Sequence, residues 1–396
     1  MVQEKLVSSE KTKNDNNVYH DEPALRFPEF NDSWKRIKIH EITDSITKGT
    51  TPKNYSEEGI NFIKVENIEN NQIININSYI DVNTHKNELS RSILEKNDLL
   101  FSIAGTLGRT AKVTEDILPA NTNQALAILK INDLNAINVD YVQTRLNCSD
   151  IEKYIFQNLA VGAQPNLNLK QVGDIEIKLP SKSEQDKIQN FINSINKKIE
   201  LLEKKLVLCR ELELTIKIKI FNNVTKNSFI KLNEICSIKK GKQLNKSDMI
   251  ENGKYYVLNG GKEPSGYTNS WNVKENTITI SEGGNSCGYV SFNSEKFYCG
   301  GHCYYLTLKT TDFDLNYLFH YLKYMEPKIM RLRVGSGLPN IQKGDIGNIN
   351  ILKKEFNKQK EIGDFLESIN IKISLILKEK EELELFKKGL LQKMFI

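Results

Sequence analysis

The chain has 396 residues, of which 27% are charged, and Lys and Arg exceed Asp and Glu to give a formal net charge of +5. That length exceeds one ordinary core, so two or three domains are expected, and the small basic surplus fits nucleic-acid binders and cytoplasmic enzymes alike. No apolar run approaches the ~20 residues that span a bilayer and the opening 23 residues carry no apolar leader, which speaks against insertion and secretion.

In chain order, residues 1–22 read as a polar, disordered tail. Residues 23–180 read as a globular part of mixed α/β class. Its apolar runs INFIKV, DLLFSIAG, ALAILKI and IEIKL are separated by Gly, Asn and Thr clusters, as strands and turns require, and NVDYVQTRLNCSDIEKYIF is helical by pattern. Residues 181–224 then read as one long helix. Ile188, Phe191, Ile195, Ile199, Leu202, Leu206, Cys209, Leu212, Ile216 and Ile220 recur at steps of three and four, and Ser181-Lys182-Ser183-Glu184 offers a capping box. A second globular part over 225–352 has strand-like runs YYVLNG, TITIS, YVSF and YYLTLK and the helical LNYLFHYLKYMEPKIMRL. Residues 353–396 close the chain with a second long helix, striped by Ile362, Phe365, Ile369, Ile373, Ile376, Leu383, Phe386, Leu390 and Met394 and weakened at Lys380.

These parts are one unit written twice. Gln185 and Gln359 lie 174 positions apart, and the same offset carries Ile188 onto Ile362, Phe191 onto Phe365, Pro165-Asn166 onto Pro339-Asn340, and Gly173 onto Gly347. Near the start of each unit, IHEIT resembles LNEIC and Lys48-Gly49 pairs with Lys240-Gly241 at an offset of 192, so the frame is constant and the middle varies. A helix of ~40 residues is ~60 Å long. Its apolar stripe is unstable alone in water, so the two helices are expected to form an antiparallel intramolecular coiled coil related by a pseudo-two-fold repeat. The plainer alternative is a hairpin of ordinary core helices.

Catalytic signatures are missing. There is no Pro-Pro dipeptide for an amino-methyltransferase motif, no Gly-Lys-Ser/Thr for a phosphate loop, and GSGLPN precedes a strand where a dinucleotide fingerprint would follow one. Cys299, His302 and Cys303, with Cys287 as a fourth ligand, lack the paired halves of a zinc site, and no metal is expected. The six cysteines show no disulfide framework and are read as reduced thiols of a cytoplasmic protein.

Three stretches resemble the specificity subunits of type I restriction-modification enzymes. PALRFPEFNDSWKRIKIHEI (23–42) looks like their opening, GAQPNLNLKQVGDIEIKLPSKSEQDKI (162–188) is close to their junction of recognition domain and spacer helix, and GSGLPNIQKGDIGNINILKKEFNKQKEI (335–362) is its second copy. Lys353-Lys354 departs from the Leu179-Pro180 ending, so a less rigid start to the second helix is expected. The resemblance implies two target-recognition domains that read the halves of a split, asymmetric sequence in double-stranded DNA. It implies two modification (methyltransferase) subunits docked on the helices, restriction subunits as further partners, and no membrane. It also implies no catalysis and no cofactor on this chain, with S-adenosylmethionine, ATP and Mg on the partners.

Base edges and phosphates are read by amides, guanidinium groups, Lys, Thr and turn N–H groups on loops. The candidates in the first unit are Lys48, Thr50, Thr51, Lys53, Asn67, Thr106, Arg109, Asn121, Asn123, Gln124 and Gln164. Those in the second are Lys240, Lys242, Gln243, Asn259, Lys262, Asn285, Tyr289, His302, Arg331, Arg333 and Ser336. Two other classes stay open at this point: a nuclease or methyltransferase with fused recognition domains, and a coiled-coil scaffold that binds protein alone.

Overall fold

The computed structural model describes residues 23–159, 165–222, 229–335 and 339–395, so the expected tail over 1–22 lies outside the described residues. The chain forms two compact units, one of residues 1–200 with 381–396 and the other of residues 201–380.

The first unit holds strands β1 (Lys35–Lys38), β2 (Thr43–Lys48), β3 (Ile60–Ile63), β4 (Ile68–Glu69), β5 (Gln72–Ile73), β6 (Tyr79–Ile80), β7 (Leu99–Ser102), β8 (Thr110–Lys112), β9 (Ala120–Thr122), β10 (Leu126–Ile131) and β11 (Glu176–Leu179). Its helices are α1 (Val139–Leu146), α2 (Ser149–Gln157), α3 (Leu169–Gly173) and the start of α4 (Lys182–Asn222). An antiparallel sheet runs β2-β10-β7-β8, a smaller one runs β6-β3-β9, and β1 pairs with β11. Successive residues of a strand face opposite ways. Leu99, Phe101, Ala127 and Leu129 accordingly enter one core with Val142 and Ile177, while Leu100, Ala111, Leu126 and Ile128 enter another with Ile63 and Val113. Burial on both faces explains why DLLFSIAG and ALAILKI are continuously apolar and do not alternate.

The second unit repeats this plan with β12 (Phe229–Lys231), α5 (Leu232–Ile235), β13 (Cys236–Lys240), β14 (Tyr255–Leu258), β15 (Gly266–Thr268), β16 (Thr277–Ser281), β17 (Val290–Asn293), β18 (Tyr298–Cys299), β19 (Cys303–Leu308), α6 (Leu315–Met330), α7 (Lys343–Gly347), β20 (Asn350–Leu352) and the start of α8 (Phe356–Phe395). The main sheet runs β13-β19-β16-β17, the smaller one β15-β14-β18, and β12 pairs with β20. In both smaller sheets one neighbour is parallel, β9 beside β3 and β18 beside β14.

The same buried glutamine starts each long helix. In the first unit Gln185 Nε2 donates to Pro180 O at 2.9 Å and Ala136 O at 3.1 Å, and its Oε1 accepts the Asn138 N–H at 2.8 Å. In the second, Gln359 Nε2 donates to Lys354 O at 2.9 Å and Asp312 O at 3.0 Å, and its Oε1 accepts the Asp314 N–H at 3.1 Å. The Lys353-Lys354 exchange therefore leaves this joint intact, because the bonds use carbonyl oxygens that any residue supplies. The expected capping box fails at Glu184. Its carboxylate accepts from Arg26 Nε at 2.7 Å, Arg26 Nη2 at 2.8 Å and Trp34 Nε1 at 3.2 Å.

In the first unit Ile188 and Ile192 of α4 pack with Met394 and Phe395 of α8; in the second, Ile216, Ile220 and Phe221 of α4 pack with Ile362, Leu366 and Ile369 of α8. In each unit the beginning of one helix meets the end of the other, so the pair is antiparallel. Three expected stripe positions, Leu212, Phe365 and Phe386, are exposed, and Ile192 and Leu366 are buried in place of the neighbouring phenylalanines. One residue along a helix turns the side chain by ~100°, and the phenylalanines sit at the stripe's edge. Lys380 pairs with Glu203 at 3.0 Å.

His320 of α6 is fully buried, with Glu367 Oε2 3.3 Å from its Nε2 but out of hydrogen-bond alignment. Burial first, then Lys217, pushes its imidazole down to about 3.

Two outcomes are expected. Gln359→Leu leaves buried N–H and C=O groups unmatched and should cost about 1–3 kcal/mol, seen as a lower urea midpoint for the second unit. Because the folded pKa of His320 lies below its unfolded value near 6.5, the second unit should lose stability as pH falls from about 6.5 towards 3. The thermal midpoint of His320→Phe should fall less steeply over that window than that of the unaltered chain.

Candidate nucleic-acid interface

Antiparallel register decides which loops meet. In the first unit Lys48 pairs with Ala127, Ser102 with Leu126, and Thr110 with Phe101, so β2 and β7 end where β8 and β10 begin. The loops 49–53, 103–109 and 123–125 therefore share one end of the main sheet, joined by the segment at Asn166, which bridges Ala104. The second unit does the same. Lys240 pairs with Tyr304 and Ser281 with Cys303, which gathers loops 241–245, 282–289 and 300–302, and Asn340 bridges Gly283. Pro165-Asn166 and Pro339-Asn340 thus stitch the segment before each long helix to the sheet end.

Gly49 and Gly241 make the close approach possible. A Cβ on Gly49 would lie 2.0 Å from Thr122 O, and one on Gly241 would lie 2.3 Å from Gly300 O. The glycines of Lys48-Gly49 and Lys240-Gly241 are thus a packing requirement, and their lysines a source of cations.

At the first unit's end, Lys48, Thr50, Thr51, Lys53, Thr106, Arg109 and Gln124 are exposed and Asn123 is half-buried. Thr51 Oγ1 donates to Gln124 Oε1, Asn123 Oδ1 accepts the Ala125 N–H at 3.1 Å, and Arg109 Nη1 donates to Ile68 O at 3.0 Å. Two expected readers face inward. Asn67 is buried, with Oδ1 accepting the Lys64 N–H at 2.9 Å and Nδ2 donating to Asn75 O at 2.8 Å. Asn121 is buried on β9, with Nδ2 donating to Leu89 O at 2.9 Å and Ser92 Oγ at 3.2 Å, and Oδ1 against His85 Nδ1. Their amides hold backbone that would otherwise be unpaired, so neither is offered to a ligand.

At the second unit's end, Lys240, Lys242, Gln243, Lys262, Asn285, His302, Arg331 and Arg333 are exposed, and Asn259 and Tyr289 are half-buried. Asn259 Oδ1 accepts the His302 N–H at 3.3 Å and so shapes the 300–302 loop. Lys323 Nζ lies 3.9 Å from the Tyr289 ring centre and Lys262 Nζ 5.7 Å, so two cations lie over the ring. Burial lowers the Lys323 ammonium, while its bonds to Glu326 act in the opposite sense. Gln164 and Ser336 lie outside the described residues.

Sequence reasoning missed Glu282. Its Oε1 lies 2.6 Å from Lys240 Nζ and accepts the Tyr304 hydroxyl at 2.9 Å, and its Oε2 lies 3.7 Å from His302 Nδ1. Burial first, then Glu282, pushes the Tyr304 phenol up to about 12, so the hydroxyl keeps its proton and donates. A search for phosphate-binding donors passes over an acid; the TITIS run of β16 gives no sign that Glu282, the residue after it, lies between a lysine and a tyrosine. Cys299 and Cys303 are buried, and among the described residues no three His, Cys, Asp or Glu side chains are grouped to hold a metal. No helix among them is long and apolar enough to cross a membrane.

Comparison with known proteins supports the repeat. Residues 31–208 and 225–385 each match the type I restriction modification DNA specificity domain. A putative type I specificity subunit of Mycoplasma pneumoniae is 34% identical over 160 residues, 40% of this chain and 42% of that relative's length. The putative specificity subunit of the MjaX type I restriction enzyme of Methanocaldococcus jannaschii is 24% identical over 92% of this chain and 93% of its own. Among solved structures, the S subunit of a type I restriction-modification system from M. genitalium shares the fold with a TM-score of 0.69 at 21% identity, over 95% of this chain and 99% of that one. With the domain matched twice over most of its length, the chain belongs to the type I restriction-modification DNA specificity family.

Proposed function

We propose that this chain is the DNA-specificity subunit of a type I restriction-modification complex. In this reading each unit recognises one half of a split, asymmetric target, and the long helices hold the two readers at a set interval. The observation that carries it is the repeated sheet end: the same backbone plan presents Lys48, Thr50, Lys53 and Gln124 in one unit and Lys240, Lys242, Gln243 and Arg333 in the other. Lys and Arg grip phosphates, amides and charged side chains read base edges, and unlike residues on like scaffolds call for unlike half-sites. Linking two readers by a stiff spacer makes the second contact intramolecular, so affinity rises only for half-sites at the matching separation.

The helices also support partner docking. Leu201, Leu208, Leu212 and Leu214 of α4 and Ile371 and Leu375 of α8 are exposed in the second unit, and Leu385 and Phe386 of α8 are exposed in the first. Exposed apolar side chains on a helix mark protein-binding surface in each unit. We assign these surfaces to two modification subunits, which bring S-adenosylmethionine, with restriction subunits adding ATP, Mg and cleavage. The chain itself supplies recognition and no chemistry, in the cytoplasm where the host DNA lies.

The helical ruler can be lengthened. Four residues added after Glu203 and four before Lys380, which face each other at 3.0 Å, extend the helices by roughly 6 Å. Motifs mapped from modified positions in the host genome should then show a gap one or two base pairs longer between unchanged half-sites. An unchanged gap, or no split motif with the unaltered chain, would reject the reading.

A further inference from the structure

Glu282 is an unusual residue for a surface that meets phosphates, and the fold does not need it. Its N–H donates to His302 O at 2.9 Å and its carbonyl accepts the Ile341 N–H at 2.9 Å. In the first unit the N–H of Ile103 donates to Ala125 O at 2.8 Å and its carbonyl accepts the Leu167 N–H at 2.9 Å. The backbone position is the same, and there it carries a buried isoleucine. An apolar side chain therefore builds this joint, and the carboxylate of the second unit answers another need.

A plain surface ion pair with Lys240 is the competing explanation, and such pairs contribute little. The Glu282 side chain is only 13% exposed, whereas that of Lys240 is 51% exposed. Desolvating a carboxylate to that extent for a weak pair is a net cost. Its two oxygens also differ. Oε1 is engaged by Lys240 Nζ and the Tyr304 hydroxyl, while Oε2 has His302 Nδ1 at 3.7 Å, beyond hydrogen-bond length. The arrangement is a carboxylate held through Oε1 by the Lys240 ammonium at 2.6 Å, so that its second oxygen is an acceptor on the same group as a donor's anchor, at the end of the sheet where the reading loops meet.

Resting on the DNA-reading function proposed above, we propose that Glu282 and Lys240 together read one C·G base pair in the major groove of the second unit's half-site. Glu282 Oε2 accepts from the cytosine N4 amino group, and Lys240 Nζ donates to O6 of the paired guanine. Within that pair the amino group and O6 are hydrogen-bonded to one another at about 2.9 Å, a donor–acceptor doublet that matches the protein's acceptor–donor doublet. An A·T pair fits less well. Adenine flanks its amino group with the N7 lone pair, which repels a carboxylate, and thymine gives the lysine one acceptor beside a methyl group where guanine gives two. Tyr304 is a positioning residue here: its hydroxyl holds Oε1 and leaves Oε2 as the oxygen that accepts no hydrogen bond among the described residues.

The test is selection from randomised duplexes by the full chain, tagged at residue 1 and purified in its native complex, beside Glu282→Gln and Lys240→Met. The unaltered complex should select a split motif with a C·G pair in one half. A glutamine can both accept and donate, matching adenine N6 and N7, so Glu282→Gln should shift that one position towards A·T. Its preference for C·G should fall roughly tenfold, with the other half-site unchanged. Lys240→Met should relax the same position and no other, which keeps the test open if Glu282→Gln folds poorly. A split motif that neither variant alters at a C·G position overturns this inference and leaves the proposed function standing. Failure of the unaltered complex to select any split motif overturns both.

Discussion

A buried side-chain amide at the start of each long helix is the constraint on which the rest of the architecture depends. Gln185 is 1% exposed and Gln359 is fully buried, and each ties three pieces of chain into one knot: the first turn of the long helix, the segment before it, and the N-terminus of the earlier helix α1 or α6. The knot is reinforced by Asn138 and Asp314, which cap those helices, and by Tyr141 and Tyr317, whose hydroxyls donate to Lys178 O and Leu352 O at 2.9 Å. A glutamine in such a place cannot be replaced by an apolar residue without leaving backbone groups unmatched. The direction in which each rod leaves its own globular part is thereby fixed by polar bonds, and the apolar stripe then has one face to offer.

On this common plan the two units are finished differently. In the first, the stretch before β1 lies against α4: Arg26 clasps the buried Glu184, Trp34 joins it, and Lys187 lies 5.4 Å from the Phe27 ring centre. The repeat puts the exposed Lys358 where Glu184 stands, and Lys358 pairs with Glu361 of its own helix at 2.8 Å. The sheet ends diverge as well, with Ile103 in one unit and Glu282 in the other on equivalent backbone. A frame held by main-chain and buried amide bonds leaves the side chains at the sheet end free to vary, which is what a family of readers with different targets requires.

Much of this was legible in the sequence because repetition and periodicity are properties of one dimension. The 174-position echo, the two long helices and the β-rich parts between them follow from spacing alone. Stripe positions at the helix edges, such as Phe365 against the buried Leu366, lie beyond what spacing decides, because a shift of one residue depends on where the partner lies. Among the candidate readers, the Lys, Thr and Gln clusters near Lys48 and Lys240 come together as loops at one sheet end, since turn-forming composition and strand polarity agree there.

Spacing and composition along the chain establish that two like units exist, that each ends in a long amphipathic helix, and which residue types are available to meet DNA. Which of those residues face outward depends on contacts made only after folding. Asn67 and Asn121 have the same chemistry as Asn123 and Asn285, yet they are sealed inside by backbone groups of Asn75 and Leu89 that only a folded loop brings near. Lys240, Glu282 and Tyr304 are separated by tens of residues and meet because three antiparallel strands place them in register. A side chain's partners are set by pairing across strands, and that pairing is not written in any local spacing.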